Sequence, residues 1–107
     1  MSQTEFDAAI ERTLIAIEDA LDDCEWDIDY ERADAVLTLT LEDNGSQVIL
    51  SRQSANRELW VAARSGGYHL KFENPGWQCT TTSEDLPTLL DRVLSEQQGA
   101  PVTLGLA

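Results

Sequence analysis

Two cysteines, one histidine and seven basic residues are all that 107 positions hold of those types, and each scarcity removes a class of function. Cys24 and Cys79 form no CxxC pair and stand far apart, so they are expected to be small packing residues rather than a disulfide or a redox pair. With neither a signal peptide nor a long apolar run in view, a reducing, cytoplasmic location is the expectation. A dedicated zinc or copper site wants several His or Cys ligands together, which His69 with two separated thiols does not supply. The few cations make nucleic acid and anionic membranes unfavourable partners. Nucleophile elbow, P-loop, HExxH and dinucleotide-binding glycine motifs are all missing, so the chain is not expected to be an enzyme.

What is abundant is negative charge. Twenty acidic residues give a formal charge of −13, yet 42% of the chain is apolar and includes three Trp, two Tyr and two Phe, enough for a core without covalent staples. The expectation is a single α+β domain over residues 1–107. The charge is unevenly placed: residues 1–34 hold twelve acids against Arg12 and Arg32, whereas the remaining two thirds are nearly balanced.

Residues 4–23 read as an amphipathic helix with Thr4 at its N-cap, because Phe6, Ile10, Leu14, Ile17 and Leu21 recur at spacings of three and four. Asp7, Glu11, Glu18 and Asp22 fall on the adjoining arc and border the buried face with carboxylates. Residues 25–31 alternate without a break, so a strand there would send Trp26, Ile28 and Tyr30 inward and Glu25, Asp27, Asp29 and Glu31 outward. A row of like charges suits an edge strand. The two acidic stripes converge near Asp22, Asp23 and Glu25.

An antiparallel meander follows: Val36–Glu42, an Asp43-Asn44-Gly45 turn, Gln47–Gln53, Leu59–Ala63, a Ser65-Gly66-Gly67 turn, Tyr68–Glu73, an Asn74-Pro75-Gly76 turn and a short strand over Trp77–Thr80. A second helix is expected over Asp85–Gln97, with Pro87 in its first turn and Gly99 ending it. Val102, Leu104 and Leu106 alternate in the tail as packed residues do.

Clustered carboxylates without His or Cys are a ligand set for hard cations. They do not form an EF-hand loop, so the expectation is open, water-rich surface sites of modest affinity; the competing reading is a merely solvated acidic face. Trp60 lies between Leu59 and Val61 and must point away from the face those two bury. Either a loop covers it or it anchors a protein partner. His69 falls on the exposed side of its strand, where a surface role is favoured over ligation or base catalysis.

From Glu5-Phe6 and Ile17-Glu18-Asp19-Ala20-Leu21-Asp22-Asp23, through Asp27-Ile28-Asp29, Val36-Leu37-Thr38-Leu39-Thr40, Asn44-Gly45-Ser46 and Arg52-Gln53, to Leu59-Trp60-Val61-Ala62, Gly66-Gly67-Tyr68-His69 and Trp77, the chain resembles the bacterial frataxins, the CyaY-type proteins. Each motif is weak alone, but their order and spacing together are specific. The resemblance implies a two-layer fold with two near-parallel helices on one face of an antiparallel sheet. It implies a role in iron–sulfur cluster assembly: iron, ferrous or ferric, held weakly at Glu18, Asp19, Asp22, Asp23, Glu25, Asp27 and Asp29, and a cysteine desulfurase met through the same ridge. Glu18, Asp19, Asp22 and Trp60 would then be the contacts to the desulfurase and the scaffold machinery. A monomer is expected, with iron-dependent oligomers as the alternative state. The rival readings are a ferroxidase that stores iron and an acidic protein-binding module with no metal role.

Overall fold

Ser2 starts the first helix: its hydroxyl accepts from the Glu5 amide at 3.1 Å while the Glu5 carboxylate accepts from the Ser2 amide at 3.0 Å. This reciprocal capping box satisfies two amides that a helix start otherwise leaves unpaired. The helix, α1 (Gln3–Asp22), therefore begins ahead of Thr4, the expected cap. Its apolar face is the expected one, with Phe6, Ile10, Leu14, Ile17 and Leu21 all buried together with Ala9.

The computed structural model describes residues 1–73 and 76–106. After α1 come six strands, β1 (Ile28–Ala33), β2 (Val36–Leu41), β3 (Gln47–Gln53), β4 (Glu58–Ala63), β5 (Gly66–Glu73) and β6 (Gly76–Cys79), then α2 (Leu86–Gln98). The strands form one antiparallel sheet in chain order. Two helices pack on it, as expected for an α+β two-layer fold.

The first strand begins three residues later than the alternation implies. Ile28 pairs with Leu41, the last residue of β2, and the chain beyond Leu41 turns away. Residues 25–27 consequently have no ladder to join, and only the Glu42 amide reaches the Asp27 carbonyl, at 2.9 Å. The Ser65-Gly66-Gly67 turn is also shifted, because Gly66 and Gly67 already pair with Ala63 and Ala62. Of the Asn74-Pro75-Gly76 turn, Asn74 and Pro75 lie outside the described residues.

Period-two alternation sorts the sheet's two faces. Leu37, Leu39, Leu41, Val48, Leu50, Leu59, Val61 and Leu70 are buried on the helix side. Trp77 on β6 meets Phe6 and Phe72 edge to face, with centroids 6.1 and 5.3 Å away, and its indole donates to the Thr13 hydroxyl at 2.8 Å. Asp85 caps α2 by accepting from the Thr88 amide at 2.9 Å, and Gly99 ends it at φ 78°, in the left-handed region where a side chain would be strained.

The tail closes the core from below the helices. Val102 and Leu104 are buried and Leu106 is half-buried. The Ser95 hydroxyl accepts from the Val102 amide at 2.8 Å, and the Asp91 carboxylate accepts from the Leu104 amide at 3.0 Å. Buried Gln97 ties α2 to the sheet ends, donating to the Ser46 hydroxyl and the Gln47 carbonyl and accepting from the Arg64 amide.

Candidate functional site

The C-terminal end of α1 and the start of β1 bring the two acidic stripes to one corner, but their members do not share one environment. Glu18 is paired with Arg32 of β1 at 3.3 Å, and the same guanidinium holds Glu11. Asp7 faces Arg52 of β3 at 3.7 Å. Asp22 accepts from the Tyr30 hydroxyl at 2.8 Å. The arc bordering the buried face is thus pinned to the sheet by residues that sequence periodicity on α1 could not foresee.

Asp19, Asp23, Glu25, Asp27 and Asp29 are exposed and make no ion pair among the described residues. They fall into three shallow hollows that share members. Asp19 and Asp23 flank one, with Leu104 and Leu106 of the tail behind them. Asp23 and Glu25 flank the next, beside Trp26 and Thr103. Asp27 and Asp29 flank the third, and there Glu42 joins them. Glu42 is absent from the sequence-derived set because only the β1–β2 register sets it beside Asp27.

Among the described residues, no three His, Cys, Asp or Glu side chains converge as a metal cage would require. What the corner offers is a band of oxygen donors open to water. That donor chemistry suits hard cations that keep part of their hydration shell. Tyr30 registers the field of this corner: its phenol is pushed above the usual tyrosine range, first by the hydrogen bond to Asp22, then by burial and the charges of Asp22, Glu18 and Asp19.

The second candidate lies on the sheet's outer face. Trp60 is half-buried there. It stacks on His69 of β5, with ring centroids 4.3 Å apart and planes 5° from parallel, and its indole donates to the Glu58 carboxylate at 3.0 Å. His69 is half exposed, on the face expected, with Nδ1 3.7 Å from the same carboxylate. Asp29 and Glu31 point to this outer side as well, three strands from Trp60, roughly 14 Å across the sheet at 4.8 Å per strand and further along it, because Trp60 lies in the row of Ala33.

Both cysteines are free thiols. Cys79 is buried at the end of β6; burial pushes its thiol up, but hydrogen bonds from the side chains and backbone of Thr81 and Thr82 outweigh that and bring it to about 7.

A family model described as a frataxin-like domain matches residues 1–100. The iron–sulfur cluster assembly protein CyaY of Bordetella parapertussis is 42% identical over 110 residues, covering 99% of this chain and all of the relative. That of Vibrio cholerae is 41% identical over 102 residues, covering 95% and 97%. Among solved structures, the frataxin of Psychromonas ingrahamii superposes with a TM-score of 0.88 at 25% identity, covering 97% of this chain and 98% of that one.

Proposed function

The chain belongs to the frataxin-like family, among relatives named CyaY iron–sulfur cluster assembly proteins, and from that premise we propose that it is an iron-binding adaptor that regulates cluster assembly without being an enzyme. The observation that supports this reading most is the band of exposed carboxylates from Asp19 to Asp29, extended by Glu42, at the α1–β1 corner. Here iron is cargo. Water-filled oxygen sites load and release a hard cation readily, as delivery or sensing requires, whereas a buried cage would retain it.

The same ridge is the proposed contact for a cysteine desulfurase through Glu18, Asp19 and Asp22, meeting a basic patch on that enzyme. Glu18 contributes there as one end of the Arg32 pair rather than as a free ligand. Trp60, with a large aromatic surface on the opposite side of the sheet from the helices, is the proposed anchor for the scaffold component. A ferroxidase centre needs bridging carboxylates with His close by. His69 stands four strands from Asp29, at least roughly 19 Å away, which favours the adaptor over that alternative.

The test is capture from a native lysate with the chain as bait, followed by a salt series. Recovery of a desulfurase whose affinity falls steeply with salt is the expected result, because exposed charge pairs are screened over about 10 Å at 0.1 M. Charge reversal at Glu18, Asp19 and Asp22 should abolish that capture at low salt, and Trp60→Ala should weaken scaffold binding at all salt concentrations. Desulfurase affinity that stays flat across the salt series would refute the electrostatic contact. Iron titration with and without oxygen separates the rivals: oxygen-dependent turnover would favour the ferroxidase, and absence of any binding would favour an adaptor without a metal role.

A further inference from the structure

Glu58 is buried to 7% exposure on the outer face of a sheet, where a carboxylate would ordinarily stand in water. It is covered from the side by Trp60, whose indole donates to it, and by His69, whose Nδ1 is 3.7 Å away. The two rings lie flat against each other at 4.3 Å. We propose that Glu58, Trp60 and His69 form a proton-controlled latch that regulates how freely Trp60 is presented to a docking partner. This rests on the reading of Trp60 as a partner anchor.

The chemistry is local. Histidine is the side chain that changes charge between about pH 5 and 8. When His69 is neutral, the three groups share one indole hydrogen bond and a neutral stack. When it is protonated, a cation lies flat on the Trp60 face and Nδ1–H points at a carboxylate, so both contacts gain charge. Trp60 is then held more firmly against both, and turning it to meet a partner costs more.

Lys71 is the charged side chain that faces this cluster from the neighbouring strands. On β3 the residues opposite Trp60 and Glu58 are Ser51 and Gln53, both uncharged. On β5 Lys71 stands directly across from Glu58, two residues beyond His69, and the β6 residue across from Lys71 is Gln78. Lys71 faces Glu58 in either state of His69, a background that His69 modulates.

The latch is read from the Trp60 indole N–H signal by NMR between pH 8 and 5.5, assigned with Trp60→Phe. The expected result is a shift of the Trp60 signal that follows the His69 ring signals through the same midpoint, with Trp26 and Trp77 unmoved. His69→Gln, at a half-exposed position, and Glu58→Gln, which keeps the side chain's shape, should each flatten it. Affinity for purified scaffold protein should be about two- to fivefold weaker at pH 6 than at pH 8 in the unmodified chain, and equal at both in His69→Gln. A Trp60 signal that ignores pH, or that moves alike in His69→Gln, overturns the latch. Scaffold affinity indifferent to Trp60→Ala would instead remove the docking role, leaving the spectroscopic coupling intact.

Discussion

Arg32 is the cation on which the acidic corner turns, and replacing it should show in stability, salt response and cation response together. Its guanidinium bridges Glu11 and Glu18 from the edge strand to the first helix, with side-chain exposures of 22% for Arg32, 22% for Glu18 and 53% for Glu11. Such partly exposed pairs contribute roughly 0.2 to 1 kcal/mol each, and Arg32→Gln removes both. It also leaves two carboxylates beside Asp22 and Asp19 without their counter-charge, for a loss of about 1 to 2 kcal/mol at low salt. For a domain of this size, that loss corresponds to a fall in Tm of roughly 5 to 10 °C. Near 1 M salt, where the screening length is about 3 Å, most of the deficit should vanish. Added divalent cation should raise the Tm of Arg32→Gln more than that of the unmodified chain, because two carboxylates have been freed. Thermal melts by circular dichroism, with and without salt and cation, measure all three. A low-salt Tm within about 2 °C of the parent, or a deficit untouched by salt, would show that Arg32 acts through packing and that the charge argument is wrong.

Further outcomes follow from other contacts. Asp22→Ala should bring the Tyr30 phenol back down toward the usual tyrosine range, seen as an earlier ultraviolet titration, since the Asp22 hydrogen bond is the main cause of its upward displacement; an unchanged titration would mean the contact is not kept in solution. Asp22→Asn with Asp23→Asn should reduce the rise in Tm on adding ferrous or divalent cation, and an identical rise would take both residues out of the cation site. Deleting residues 101–107 should cost a few kcal/mol at most, given about 1.5 to 3 kcal/mol for each fully buried aliphatic side chain such as Val102 and Leu104, and would be read as a lower urea midpoint. Asp85 is held below the usual carboxylate range by its bonds to Thr88, and Glu84 by Arg92. Their folded-state depression means the stabilisation is present above that range and lost as pH falls below about 4. Asp85→Asn, which still caps, should flatten the acid limb of a Tm-against-pH plot.

The parts of the fold legible in the sequence are those carried by a single element. The apolar face of α1 follows from one period, and the five residues that period selects are all buried, with Ala9 beside them. The capping box was legible too, as Ser2 three positions before Glu5, but a helix start read from the first apolar residue passes over it. What required structure is whatever depends on two elements meeting. Alternation over residues 25–31 looks the same in a strand and in an extended linker, and only the end of β2 at Leu41 decides where pairing stops. Likewise Glu18 reads as a free carboxylate until Arg32, fourteen positions on, folds back onto it. Glu42 joins the corner for the same reason, and the stack of His69 on Trp60 depends on a register that pairs them directly.

A sheet whose spatial order equals its chain order has a consequence for synthesis. Each hairpin can close as soon as its second strand leaves the ribosome, because no strand waits for a partner encoded far downstream. The exception is α1, made first, whose apolar side must wait for the sheet that will cover it. During that interval its Glu5, Asp7, Glu11, Glu18, Asp19 and Asp22 are opposed by Arg12 alone. They keep the nascent segment hydrated and repelled from anionic ribosomal RNA. The acids that later form the corner thus first act as a solubility tag for the growing chain.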